Sequence, residues 1–134
     1  MRVVLDANIL VSFLLTSGPT ISQIMTFWRQ NKFTLLTTDE ILTEIKQVLA
    51  RFVAAKLIKE EAALALLTRL ERDSQLIQSL AQVTASPDKK DNRYLAAAKD
   101  GQADYLVTGD KKHLLALKQF EGTKIISPKE FLID

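Results

Sequence analysis

Short runs of aliphatic and β-branched residues alternate along this chain with longer segments whose apolar residues recur at helical spacing. No other feature constrains the fold as much. A repeated strand–helix order favours a mostly parallel sheet covered on both faces by its crossover helices. Arg2–Leu5 reads as a buried strand and Asn8 to Leu15 as a helix, which Gly18-Pro19 ends. A second helix starts at Thr20 and carries Ile21, Ile24, Met25 and Trp28 on one face. Phe33–Leu36 is the next strand. Thr37 and Glu40 have the spacing of a capping box, opening a helix with Ile41, Ile45, Val48, Leu49 and Phe52 at helical positions. Lys59–Asp73 is a further helix, and a short strand is expected near Leu80–Val83. Asp91–Lys99 is helical, with Gly101 as its C′ stop. Tyr105–Val107 and Lys124–Ile126 are strands, Lys111–Lys118 is a helix, and Pro128 opens a last helical turn. The pattern predicts one α/β domain over residues 1–134.

Composition removes several chemistries. There is no cysteine, which excludes disulfides, zinc knuckles and thiol catalysis, and a single histidine excludes a His-rich site. A metal must therefore be held by oxygen, which points to Mg²⁺ or Mn²⁺. The net charge of +2 excludes a strongly basic arm, but not local capture of a short nucleic acid. Asp6 and Asn8 interrupt the apolar start, so it reads as a strand and a helix rather than a leader. No apolar run is long enough to span a bilayer; the cytoplasm is the expected location, with no membrane partner.

In α/β sheets, sites form outside the carboxyl ends of the strands. Asp6 follows the first strand, and Asp110 follows Tyr105–Val107 across Thr108-Gly109. Asp91 begins the helix that precedes this second strand, and a right-handed crossover returns that end to the same edge. Glu44 lies at the rim of its helix's apolar stripe, where an acid needs a partner. Each aspartate also suits a helix N-terminus, and Asp88 competes with Asp91 for the cap. Capping explains each acid singly but not their convergence. Two carboxylates ~4 Å apart repel by about 4 kcal/mol at an effective dielectric of 20, a cost that a divalent cation removes. Such a cation also activates water for in-line attack on a phosphodiester. Lys89, Lys90, Arg93, Lys111 and Lys112 flank these acids and read either as solvated loop charge or as a phosphate rim. Phe27 and Trp28 read as core rather than as base-stacking platforms.

The segments V-L-D-A-N-I-L-V-S, T-E-I-K-Q-V-L, P-D-K-K-D-N-R-Y-L-A-A-A and A-D-Y-L-V-T-G-D-K-K-H-L-L resemble the PIN-domain family in order and spacing, over essentially the whole chain. Within the family the nearest likeness is to VapC-like toxins of bacterial toxin–antitoxin pairs. The resemblance implies a three-layer α/β/α fold and Mg²⁺- or Mn²⁺-dependent cleavage of RNA. It places metal binding and catalysis on Asp6, Glu44, Asp91 and Asp110, supported by hydrogen bonds from Asn8 and Thr108. It further implies a homodimer, meeting through the helices Thr20–Asn31 and Lys59–Asp73, and a cognate antitoxin protein whose tail enters the acidic cleft. The chain departs from the pattern at Lys89-Lys90, where relatives often carry Pro or an acid. It departs again at His113, which reads as a surface or loop residue rather than a ligand.

Three other readings are weaker. A PIN-like RNA-binding module without cleavage would not need all four acids. A receiver-type phosphoacceptor domain needs an acidic pair after its first strand, and a haloacid-dehalogenase-type phosphatase needs D-x-D there. Asp6-Ala7-Asn8 supplies neither, and no Gly-rich phosphate loop is present.

Overall fold

The computed structural model describes residues 1–16, 18–78, 83–86, 88–109 and 113–133. Among them, six strands form one sheet: β1 (Arg2–Leu5), β2 (Thr34–Thr37), β3 (Gln75–Leu76), β4 (Tyr105–Val107), β5 (Gln119–Phe120) and β6 (Thr123–Ile126). Their order is β3-β2-β1-β4-β6-β5, and every pairing is parallel except β5 with β6. The helices are α1 (Ala7–Thr16), α2 (Pro19–Arg29), α3 (Asp39–Ala54), α4 (Glu60–Asp73), α5 (Lys89–Gly101), α6 (Leu114–Leu117) and α7 (Pro128–Ile133). They flank the sheet in a three-layer α/β/α arrangement. No single helix among the described residues is long and apolar enough to cross a membrane.

Parallel strands covered on both faces should read as unbroken apolar runs. Val3, Val4 and Leu5 in β1, Leu35 and Leu36 in β2, and Leu106 and Val107 in β4 are all buried. Val4 sits beside Leu36 on one side and Leu106 on the other, at the centre of the sheet. α5 packs across β1, β2 and β4 through Leu95, Ala97 and Ala98. Phe131 of α7 meets the rings of Phe33 and Tyr105 edge-on. From β1 the chain builds outward through β2 to β3, and then crosses back through α5 to β4 on the other side of β1. The gap between the carboxyl ends of β1 and β4 is therefore the switch point at which such sheets hold their sites.

Local details differ in part from the sequence reading, and part of that reading falls on residues outside the described set. Thr38, not Thr37, caps α3, its side chain accepting from the Ile41 N–H. Thr37 instead ends β2, and the Glu40 spacing makes no capping box. Of the strand expected at Leu80–Val83, residues 80–82 lie outside the described set and Val83 is in no strand. The third strand lies earlier, at Gln75–Leu76. The region of Lys111–Lys118 holds a helix only over Leu114–Leu117, with Lys111 and Lys112 outside the described residues. Glu121 and Gly122, both at positive φ, turn β5 back onto β6, a hairpin that propensity alone did not reveal.

The end of α5 also differs in its chemistry. Gly101 is the last helical residue, and Gln102 takes the left-handed position with φ 53°. Gly101 matters for a close approach: a Cβ there would lie 2.8 Å from Leu36 Cδ1, a fully buried side chain. Gly101→Ala should therefore destabilise the fold by about 1 kcal/mol, overpacking outweighing the helix-propensity gain. Gln102→Gly should stabilise it by about 0.5–1 kcal/mol by relieving a left-handed non-glycine residue. Urea denaturation of the two variants checks both signs; were Gly101 the left-handed stop, Gln102→Gly would bring no gain.

Candidate functional site

Asp6 is the first residue beyond β1 and is buried. Its backbone N–H continues the sheet by donating to the Val107 carbonyl of β4, at 3.0 Å. Its two carboxylate oxygens are held separately. Oδ1 accepts from the Asn8 N–H at 3.0 Å, and Oδ2 accepts from Thr108 Oγ1 at 2.8 Å. Asp6 thus caps α1 with one oxygen while the other is fixed by a residue at the end of the neighbouring strand. Thr108 is fully buried and can take this position because its own backbone N–H is paired with Ile126 in β6.

Asp91 lies in the first turn of α5 and is buried. It does not cap the helix: Asp88 does, accepting from the Lys90 N–H at 2.9 Å. Capping therefore leaves the inward orientation of Asp91 unexplained. Its Oδ2 accepts from Ser86 Oγ at 3.3 Å and lies 3.5 Å from His113 Nδ1. His113, read from the sequence as a surface or loop residue, is half-buried beside Asp91. The turn into α6 brings its ring against Asp91. One potential ligand atom from each of Asp88, Asp91 and His113 lies within 4.8 Å of the others.

Glu44 points from α3 toward the same place. The Tyr94 hydroxyl, on α5, donates to Glu44 Oε1, and Arg93 Nη1 lies 3.4 Å from that oxygen. Arg93 Nε also stands 3.5 Å from Glu40 Oε1, within ion-pair range but outside hydrogen-bond geometry. The guanidinium expected at a phosphate rim is therefore committed to two glutamates. Tyr94 was not anticipated from the sequence. Its signal was its position three residues after Asp91, on the same helix face. Its hydroxyl also accepts from the Ala7 N–H at 3.2 Å, so one phenol ties the start of α1 to α3. Burial, the Asp6 charge and the interactions with Glu44 raise its pKa well beyond the usual phenol range, so it serves as a neutral donor.

These groups line a cleft of about 590 Å³ at the switch point, whose walls include Asp6, Asn8, Glu44, Asp88, Asp91, Tyr94 and His113. Lys90, Arg51 and Val48 complete the rim, while Lys89 is exposed and is not among the lining residues. Asp110, Lys111 and Lys112 lie outside the described residues; Gly109 and His113, which bracket them, both line the cleft. The donor set is mostly hard carboxylate oxygen with one imidazole nitrogen. That chemistry fits Mg²⁺ or Mn²⁺ and does not fit a thiolate or multi-histidine metal site.

Comparison with known proteins points one way. The sequence profile of the PIN domain matches residues 2–112. The fold is similar to that of VapBC2 from Rickettsia felis, solved bound to a DNA fragment from its promoter. The TM-score is 0.61 at 16% identity, over 95% of this chain and 98% of that one. It is also similar to PAE2754 from Pyrobaculum aerophilum, with TM-score 0.61 at 14% identity, over 99% of this chain and 88% of that one. No curated protein matches the chain by sequence.

The Tyr94 bridge has a measurable pH signature. Tyr94→Phe should cost about 1–2 kcal/mol at neutral pH, because the Ala7 N–H and Glu44 each lose a partner. Below about pH 10 the folded and unfolded chains both keep the Tyr94 proton. Above it the unfolded chain releases the proton and the folded chain does not. Wild type should then lose stability relative to Tyr94→Phe by about 1.4 kcal/mol per pH unit. Denaturation in EDTA from pH 8 to 11 checks this; a gap between the two proteins that stays constant with pH would contradict it.

Proposed function

The chain belongs to the PIN-domain family, and on that footing we propose that it is a metal-dependent endoribonuclease, the toxin of a bacterial toxin–antitoxin pair. The observation that carries this reading is the convergence of Asp6, Glu44 and Asp91 on one cleft from three separate elements, with Asp91 not needed as a cap. Asp110, two residues beyond buried Thr108, is assigned as the fourth acid of the set.

The residues of this chain act first by holding position. Thr108 and the Asn8 N–H fix Asp6, Ser86 and His113 contact Asp91, and Tyr94 and Arg93 fix Glu44. The carboxylates thus face the cleft already ordered, so no reorganisation is needed when a substrate arrives. Asp6, Glu44, Asp91 and Asp110 would hold one or more Mg²⁺ or Mn²⁺ ions. When bound, such an ion supplies charge neutralisation at the scissile phosphate and a water of lowered pKa for in-line attack. Lys90 on the cleft rim, with Lys89, Lys111 and Lys112 nearby in sequence, is assigned to contact with the RNA backbone. A cognate antitoxin would inhibit by placing Arg or Lys among the carboxylates. A homodimer is assigned to the α2 and α4 surfaces, where Leu64 stands exposed. The cytoplasm is the site of action.

The deciding experiment is RNA cleavage by the purified protein in Mg²⁺, in Mn²⁺ and in EDTA. Asp6→Asn, Glu44→Gln, Asp91→Asn and Asp110→Asn should each lower metal-dependent cleavage by at least about 100-fold. Persistence of cleavage in both Asp6→Asn and Asp91→Asn would refute the assignment. Melting curves give a readout that does not depend on activity. In EDTA, Asp91→Asn should melt above wild type by the equivalent of ~1–2 kcal/mol, because one repelling charge is gone and the Asp88 cap remains. Millimolar Mn²⁺ should stabilise wild type far more than the variant. Equal melting in EDTA, with no metal response in either protein, would leave the acids as separate structural groups with no shared metal site.

A further inference from the structure

The chain has six arginines, and five have a partner for their guanidinium. Arg2 bonds Gly101 and Gln75, Arg29 bonds Thr26, and Arg69, Arg72 and Arg93 face carboxylates. Arg51 alone, among the described residues, meets neither a carboxylate nor another acceptor, although it lines a cleft otherwise rich in acids. It is exposed, in the last turn of α3.

Its place on the helix explains both facts. Glu44, Val48 and Arg51 are at positions i, i+4 and i+7, so they lie on one face, and all three line the cleft. Seven residues of helix place Arg51 roughly 10 Å along the axis from Glu44. One face of α3 thus offers the cleft an acid at one end, an apolar patch at Val48, and the Arg51 guanidinium at the other end. Glu44 is already matched by Arg93 and Tyr94, so it makes no demand on Arg51. Asp6 and Asp91 line the same cleft, and Tyr94 ties Ala7, the neighbour of Asp6, to Glu44 rather than to the Arg51 end of the helix. A guanidinium with no acceptor among the described residues, at that distance, suits a phosphate oxygen, which it can grip with two parallel hydrogen bonds.

We propose that Arg51 binds a backbone phosphate of the RNA one or two nucleotides from the phosphate being cut, making the α3 end of the cleft a second subsite for single-stranded RNA. The inference rests on the nuclease reading above. It adds that substrate must extend beyond the cut on that side, and that Arg51 is a positioning residue acting through binding. Val48, between the two ends, gives the intervening nucleotide an apolar surface rather than a hydrogen-bond partner, so the subsite reads the backbone and not the base.

The test compares wild type, Arg51→Ala, Arg51→Lys and Arg51→Glu on a long single-stranded oligoribonucleotide and on a dinucleotide, in Mn²⁺. Binding of the labelled long strand is followed by fluorescence anisotropy over a range of salt. Arg51→Ala should raise KM on the long strand about tenfold and leave kcat unchanged, with a salt slope of log binding shallower by about 0.7, the share of one phosphate on a single strand. Arg51→Lys should recover most of the loss, Arg51→Glu should deepen it, and all four proteins should act alike on the dinucleotide. A role confined to the helix C-terminus predicts a lowered melting temperature and no change in KM. Cleavage that Arg51→Ala leaves unchanged on the long strand, or lowers equally on both substrates, overturns the subsite and leaves the nuclease reading intact. Arg51-dependent binding without cleavage by wild type in any metal supports the subsite and overturns the nuclease reading. Wild type that neither binds nor cleaves overturns both.

Discussion

The hydrogen bond from Thr108 to Asp6 joins the carboxyl ends of two adjacent parallel strands, and the cleft is arranged around it. It forms only if β4 lies directly beside β1, in the register that pairs Leu5 with Val107. That adjacency follows from the strand order. Once α5 carries the chain back across β1, the two strands that diverge at the switch point leave a gap between their ends. An acid buried in that gap is tolerable because its oxygens are already met by Thr108 and by the first turn of α1.

Tyr94 extends this order to the helical layers. Its ring is buried in the core, while its hydroxyl accepts from α1 and donates to Glu44 of α3. A phenol suits this bridge because it stays uncharged among carboxylates. A charged donor would be drawn into ion pairing, and an apolar residue would leave the Ala7 N–H without its partner. The packing of α5 against the sheet, which Gly101 permits by its close approach to Leu36, therefore also sets the position of the acidic edge.

Charge is distributed locally rather than globally. The net charge of +2 conceals a cleft crowded with carboxylates and a few cations of different kinds. Arg93 is held by two glutamates and compensates them, whereas Lys90 and Arg51 are exposed residues of the cleft lining. An acid-lined pocket that binds a polyanion needs both a means of neutralising its centre and cations at its margin, and overall charge reports neither.

Much of this was legible in the chain itself. The alternation of strands and helices specified an α/β sheet because its strands are buried on both faces and so need unbroken apolar runs such as Val3–Leu5 and Leu106–Val107. The order of the acids after strands placed Asp6 at a sheet edge, for a topological reason that sequence alone can express. Shorter and more distant features were not legible. The two-residue strands β3 and β5 carry too little pattern to read, and the shift of the α3 cap from Thr37 to Thr38 turns on one residue of strand length. Tyr94, the Arg93–Glu44 pair and the approach of His113 to Asp91 join residues on different elements, Tyr94 and Glu44 being 50 positions apart. Sequence by itself determined which residues are buried and which strand ends carry acids, because periodicity and order are local properties. Only the tertiary structure decided which cations are spent on those acids and which remain open to a ligand, because that depends on distances between helices that meet nowhere along the chain.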